Sequence, residues 1–479
     1  MIANRTGSLS AAITVVNSSS PAAGCTSLVA VLLAIRSTVS NMFEICEHLL
    51  CSETMNMRQD GRTDHGGTQD AAEPPGSAAL YVRTPRAGEA SRRRFWTTAY
   101  ALLILLTGTN LPTPLYRSYE TKFGFSPFVV TLIFAVYVAV LIPSLLVAGP
   151  LSDAIGRRRV LLPALALAAL GSLGFALATD TGWLFAARIL QGLSVGAASG
   201  ALTAALSELE PTGNRRKAAL VTTVASVGGL GLGPVLAGLI AEYAPAPDVL
   251  PFVVEIALLI PAAVTVTRMP STQQVTRWRP RRPRVPAVMR TVFMTSGTAN
   301  FLAFAVIGLF LSLIPAYVAT LTGSTNLLLG GGTAALMLAG SVAVQLITYG
   351  QPPRRLQLAG LPILAVGLGL LVLVGNTPSL ALLLAATVLA GVGHGLVFLG
   401  GLTTVNNNAP SSRHAEVLSS FYVIVYTGVG LPVLGVGILA TALDLTTAMT
   451  WFAGTVAVLC LLVLTALSRA NRDTAVLSK

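Results

Sequence analysis

Charge is scarce in this chain. Asp, Glu, Lys and Arg make up 10% of its 479 residues, whereas a soluble protein carries about 25%. Apolar residues reach 53% and are spread along most of the length, which excludes a conventional soluble multidomain chain. Cysteine is sparse as well. Cys25, Cys46, Cys51 and Cys460 have no CxxC spacing, so neither a metal ribbon nor a disulfide framework is indicated. The four histidines, His48, His65, His394 and His414, form no cluster, so no metal site is expected. There is no G-x-x-x-x-G-K-[ST] loop, which excludes ATP-driven work by this chain alone. No nucleophile–base spacing stands out, so the chain is not expected to be an enzyme, and no cofactor is implied.

Long apolar runs are what the sequence does have, and they begin late. Residues 1–92 are polar in the middle ("RQDGRTDHGGTQDAAEPPGSAAL"), rich in Gly and Pro and poor in aromatics. Such a segment buries too little apolar surface to fold. The run "CTSLVAVLLAI" is eleven residues long, too short for a bilayer, which takes about 20. Residues 1–92 are therefore read as a disordered tail or a misplaced start, with Met42, Met55 and Met57 as later starts.

From there twelve runs of near-spanning length follow, at 96–115, 127–148, 159–178, 183–205, 217–241, 249–268, 289–320, 326–349, 356–374, 379–404, 413–441 and 446–468. The expectation is an all-α membrane protein with twelve transmembrane helices. Residues 93–268 would form an N-terminal six-helix bundle, 269–287 a basic linker, 288–470 a C-terminal six-helix bundle, and 471–479 a tail. Residues 1–94 carry net +1 and residues 95–479 net +11. The positive charge gathers in alternate loops: Arg157 to Arg159, Arg215 to Lys217, "RWRPRRPR", Arg354, Arg355 and Arg413. The opposite loops carry only Arg117 and Lys122. The positive-inside rule then places both termini in the cytoplasm of a multi-pass cell-membrane protein. The basic balance reports topology and contact with the lipid bilayer, and no nucleic-acid partner is expected.

The chain also repeats. "LPALALAALG" at 162–171 matches "LPILAVGLGL" at 361–370, and "QGLSVG" at 191–196 matches "AGVGHG" at 390–395, both 199 positions apart. "PVLAG" at 234–238 matches "PVLGVG" at 432–437, 198 apart. Two parallel halves with a cavity between them at the midplane follow from that order.

The stretch "GPLSDAIGRRRVLL" between the second and third runs has an acid at a fixed distance from paired arginines. It resembles the signature of the major facilitator superfamily, G-x-L-x-D-x-x-G-R-[RK], at Gly149, Leu151, Asp153, Gly156, Arg157 and Arg158. The resemblance covers about 95–470. It implies the major facilitator fold, and a charged latch on the cytoplasmic side that holds the outward-facing state. The equivalent "YGQPPRRLQ" lacks the acid, so the second latch is degraded. "RILQGLSVGAASG" is similar to the fourth-span motif at Arg188, Gln191 and Gly192, whose arginine the family links to proton transfer. "GGLGLGPVLAG" is similar to the fifth-span antiporter motif at Gly229, Gly233, Pro234 and Gly238, with Ala237 in place of a glycine. That motif implies efflux.

Candidates for the proton or substrate site are few. Asn110 stands where many family members carry an acid in the first span. Glu255 is either at headgroup level or in the pathway, and His394 is either a neutral interhelical bond or a relay. Arg188 either snorkels or serves coupling. The expected function is a monomeric secondary transporter, proton-coupled, exporting a small amphipathic substrate. Uptake by symport is the alternative within transport, and a non-transporting membrane sensor or enzyme is the alternative outside it.

Overall fold

The computed structural model describes residues 85–269, 285–410 and 413–477. Most of the expected tail and linker lie outside them. Two units emerge from the contacts, Met1–Arg93 with Leu209–Val221, and Arg94–Glu208 with Thr222–Lys479. In the first, Glu210 closes a turn by accepting the Thr212 and Asn214 backbone N–H groups at 2.8 and 2.6 Å.

Helices hold residues of both units, and no strand occurs among the described residues. The N-terminal half contains α1 (Pro85–Asn110), α2 (Tyr116–Phe123), α3 (Pro127–Ile155), α4 (Arg157–Ala176), α5 (Thr181–Leu209), α6 (Arg215–Tyr243) and α7 (Leu250–Thr267). The C-terminal half contains α8 (Arg290–Ser312), α9 (Ile314–Thr322), α10 (Leu327–Ile347), α11 (Pro353–Asn376), α12 (Leu380–Asn408), α13 (His414–Ala442) and α14 (Leu445–Leu477). Residues 85–92, read from sequence as tail, form the start of α1, and α14 continues through 471 to Leu477.

Among the described residues eleven helices are long and apolar enough to cross a membrane. The expected twelfth, the first span, is interrupted instead of continuous. Pro112 and Pro114 lack the N–H groups that a helix needs, so α1 stops at Asn110, a 3-10 turn follows at Thr113–Leu115, and α2 starts at Tyr116. The C-terminal half repeats the device at the same place. α8 stops at Ser312, Pro315 opens α9, and both α2 and α9 end on a left-handed glycine, Gly124 and Gly323.

The outward faces remain apolar. Ile260, Leu431, Trp451 and Leu462 are among the exposed large side chains, and an apolar surface of this extent belongs in lipid. The chain is a multi-pass membrane protein. At a loop end, Asp444 accepts the Thr447 N–H at 2.9 Å. Hydrogen bonds from Thr447 hold its carboxyl below the usual carboxylate range.

Candidate functional site

The break in the first span creates the site. A helix ends with carbonyls that have no intrahelical donor, and Pro112 removes the N–H that would have reached the Gly108 oxygen. The Leu111 N–H reaches the Gly108 carbonyl in a tight turn at 3.3 Å, and two side chains from α5 add donors to this helix end. Arg188 Nη1 donates to the Thr109 carbonyl at 2.7 Å, and Gln191 Nε2 donates to the Gly108 carbonyl at 3.2 Å. Arg188 also donates to Gln191 Oε1 at 2.8 Å and, through Nε, to the Tyr116 hydroxyl at 2.8 Å. Its other terminal nitrogen reaches the same hydroxyl. A cation at a helix C-terminus is favoured by the macrodipole.

Arg188 is 0% exposed. It therefore does not snorkel to a surface. The rings of Tyr116, Phe134, Tyr137 and Phe175 surround its guanidinium at 5.4–5.9 Å, a distance at which ring faces attract a cation. No carboxylate among the described residues is within ion-pair distance of it.

The nearest acid comes from α7. Glu255 is 2% exposed and so is buried within the protein. Its Oε2 accepts the Ser172 hydroxyl of α4 at 2.5 Å. Its carboxyl lies against Gly108 so closely that a Cβ at residue 108 would overlap it. Gly108 thus touches the acid with its α-carbon, while its carbonyl is held by Gln191. Arg188, Gln191, Gly108, Glu255 and Ser172 form one buried group fed by α1, α4, α5 and α7.

Asn110 has a different task. Pro234 removes the donor for the Leu230 carbonyl of α6, and Asn110 Nδ2 donates to that carbonyl at 3.0 Å. The fifth-span glycines serve packing on two sides. Gly229 meets the Leu103 carbonyl and Gly233 the Thr107 carbonyl, both of α1, while Gly238 meets Leu327 and Leu328 of α10 in the other half. In the fourth-span motif, Gly192 brings α5 against the Tyr137 carbonyl of α3.

His394 lies apart from this group, in the C-terminal half. It is 3% exposed, its Nδ1 is 2.9 Å from Ser341 Oγ, and its Nε2 has no partner. Phe304 and Phe398 lie against its ring at centroid distances of 4.9 and 6.0 Å.

On the basic side, Gly156 breaks the chain between α3 and α4 with φ 96° and ψ 140°, a conformation open mainly to glycine. Arg157 donates to the Ala201 carbonyl at 2.9 Å and pairs with Glu208 at 2.5 Å. Leu151 is half-buried, Arg158 is exposed, and Asp153 is exposed with no hydrogen bond or ion pair. A Cβ at Gly149 would meet nothing within 4 Å. In the equivalent loop of the other half, Arg354 donates to the Leu467 carbonyl at 2.9 Å.

The halves meet from mid-helix to the opposite face. Val138 of α3 touches Gly430 of α13, Thr131 touches Gly437, Gly231 of α6 touches Leu338 of α10, and Pro234 touches Gly331. Phe128 N donates to Thr441 Oγ1 at 3.1 Å and Leu327 N to Glu242 at 3.0 Å. Between described residues, no hydrogen bond or ion pair joins the halves on the basic side. At the closed face a cavity of about 280 Å³ lies between the two interrupted spans, lined by Thr113, Tyr116, Glu120, Ser312 and Pro315 among others. Burial pushes the Glu120 carboxyl up, against the pull of neighbouring Arg117.

The motifs mark Arg188 and Gln191, but Tyr116, Gly108, Thr109 and Ser172 carry no such mark. Pro112 is the signal that could have found Gly108, because a proline leaves the carbonyl four residues before it in need of a donor; Tyr116, Thr109 and Ser172 have no such signal.

The comparisons agree with this architecture. Curated relatives include the puromycin resistance protein pur8 of Streptomyces alboniger, 34% identical over 187 residues, 36% of this chain and 35% of that protein. The bacillibactin exporter of Bacillus subtilis (strain 168) is 30% identical over 148 residues, 29% of this chain and 37% of its own. The putative multidrug resistance protein MdtD of Escherichia coli O6:K15:H31 (strain 536 / UPEC) is 30% identical over 192 residues, 40% of each chain. The matches thus span 35–40% of these relatives' length. Among solved structures, a peptide transporter POT in complex with sulfate aligns with TM-score 0.67 at 15% identity, over 80% of this chain and 95% of that one. A D-xylose-proton symporter aligns with TM-score 0.63 at 19% identity, over 77% and 96%. At such identities the likeness is one of fold. The family model described as Major Facilitator Superfamily matches residues 98–431, and with the two broken-helix halves and the latch signature the chain belongs to that superfamily of transporters and is not an enzyme.

Proposed function

We propose that the chain is a monomeric, proton-coupled antiporter that exports a small amphipathic compound, with its basic face toward the cytoplasm. The observation that carries this reading is the buried pairing of Glu255 with the Arg188 group across Gly108. Arg188 stays protonated throughout, so it cannot carry the coupling proton. Glu255 can. When Glu255 is ionised, the buried group sums to zero charge. When it is protonated, Arg188 is left as an uncompensated buried cation, which is unfavourable in a low-dielectric interior. The cycle thus has two electrostatic states for a rocking scaffold to distinguish. Of the two ionisable candidates within the spans, Glu255 has a fixed cation beside it and His394 does not.

Two observations fit a state open toward the basic face, which exporters and importers both visit in alternating access. The fifth-span motif is packed as a seal, with Gly238 and Pro234 against α10 at the face opposite the basic loops. Asp153 is unpartnered and Gly149 faces open space, as a released latch requires. The export direction is taken from the likeness of the fifth-span motif to that of antiporters and from the names of the relatives, two resistance proteins and an exporter.

The test is substrate-induced proton movement in vesicles holding the full chain. Glu255→Gln keeps the shape and the Ser172 bond but cannot ionise. Uphill export driven by a pH gradient is expected to vanish, while downhill exchange of substrate continues. Undiminished proton-driven export by Glu255→Gln overturns the assignment. Substrate accumulation together with inward protons would make the chain a symporter.

A further inference from the structure

The C-terminal half buries a hydrogen-bond donor that the coupling mechanism does not use. Gln345 Nε2 of α10 donates to the Ser341 carbonyl at 3.1 Å and to Ser341 Oγ at 3.0 Å. The Ser341 hydroxyl therefore already accepts one hydrogen and still has its own to place. Its remaining recorded partner is His394 Nδ1, at 2.9 Å. With Ser341 donating to Nδ1 a single polar group is left unanswered, whereas the other tautomer leaves both the Ser341 hydrogen and the Nε2 lone pair without partners. Nδ1 is then the acceptor nitrogen, and the ring hydrogen sits on Nε2. That Nε2–H is buried and meets no acceptor. An unanswered N–H is a standing penalty in a membrane interior, and buried polar groups of this kind call for an explanation.

The surroundings define what could answer it. Phe304 meets the imidazole edge-on and Phe398 lies nearly parallel to it, with interplanar angles of 65° and 18°. The two phenyl rings contact each other at 5.1 Å. Both are half-buried while His394 is buried. No charged side chain among the described residues bonds to His394, Ser341 or Gln345. A carboxylate would find no counter-ion here, and an ammonium would find a donor instead of an acceptor.

We propose that His394 Nε2, with Phe304 and Phe398, recognises a substrate carrying an uncharged hydrogen-bond acceptor beside a flat apolar ring, such as an aryl ketone or aryl amide. The proposal rests on the transporter reading but not on Glu255 as the proton carrier. Phe304 and Phe398 supply the stacking surface, and Nε2–H supplies the one directional bond. Flat cations without an acceptor would use the rings alone and gain nothing from the histidine.

The probes are benzophenone and 1,1-diphenylethylene, which share a shape and differ in the carbonyl oxygen. The full chain, labelled with nitrogen-15 histidine and held in lipid nanodiscs, is titrated with each, and His394→Gln and His394→Phe identify the signal. Without probe, the ring nitrogens are expected to show the Nε2–H form. Benzophenone should shift the Nε2 resonance, and diphenylethylene should not. Benzophenone should bind about tenfold tighter than its isostere, as one hydrogen bond implies. His394→Phe should erase that preference, and His394→Gln, which keeps a donor, should retain part of it. A hydrogen on Nδ1, equal affinity for the two probes, or a preference that survives in His394→Phe each overturns the proposal. Proton coupling of the same preparation in vesicles is read separately, so a failure here with coupling intact leaves the Glu255 assignment standing.

Discussion

The fourth and tenth spans, α5 and α12, align at an offset of 199, and the pair separates what the two halves share from what they do not. Gly192 and Gly391 each press onto a carbonyl of the neighbouring helix, Tyr137 of α3 and Met337 of α10. Gly196 and Gly395 repeat this one turn on, at Leu141 and Ser341. The backbone packing is therefore duplicated. The polar chemistry is not. Arg188 corresponds to Thr387, whose hydroxyl only bonds back to the Leu383 carbonyl at 2.7 Å, and His394 corresponds to Val195. One half holds a fixed buried charge with its acid, and the other holds neutral polar groups among aromatics. A shared scaffold thus carries two different tasks, because close helix contact needs only glycine at the crossing while charge needs a complete set of partners.

The comparison can be broken most forcefully at the shared glycines. Gly192→Ala and Gly391→Ala each put a Cβ onto a backbone carbonyl that cannot retreat. Each is expected to lower stability by about 1–3 kcal/mol, and by similar amounts, in thermal unfolding of the purified protein. A large cost in one half and none in the other would mean that the packing is not equivalent. A smaller effect sharpens the picture of the N-terminal half. Asn110→Ala leaves the Leu230 carbonyl without a donor and should cost about 1 kcal/mol. In a Pro234→Ala background the backbone N–H returns, so the same substitution should cost less. Additive effects in that double-mutant cycle would remove Asn110 from its assigned bond. The smallest effect belongs to the latch. Asp153→Asn touches no partner in this arrangement, so stability should move by less than about 0.5 kcal/mol. Transport should nonetheless fall if, as the family signature implies, the acid closes the basic side. A marked shift in unfolding temperature would show that Asp153 is already engaged.

The helices were legible because a bilayer forces twenty-residue apolar runs and leaves few alternatives. The interruption of the first span was written in Pro112 and Pro114 but was hidden by the apolar residues around them. Arg188 and Glu255 each stood out as charges within apolar runs. Their meeting did not, since it depends on α1 lying between α5 and α7 with a glycine at residue 108. Asn110 looked like a substitute for a missing acid. Its bond becomes visible only when Pro234, 124 positions away in the chain, is seen to leave Leu230 unpaired. Sequence shows which groups are costly to bury, and tertiary packing decides what answers each of them.

That last bond has a mechanical consequence. A proline in a helix removes one rung and usually leaves a soft joint. Here the rung is replaced from the neighbouring helix, by Asn110 Nδ2 at 3.0 Å, so α6 is stiffened at its weakest residue and tied sideways to α1. Gly229 and Gly233, seated on α1 carbonyls either side of Leu230, prevent the two rods from sliding. Bending is thereby displaced out of α6. What can still give way is the contact of Pro234 and Gly238 with α10, so the fifth-span motif is rigid toward α1 and yields at its contact with α10.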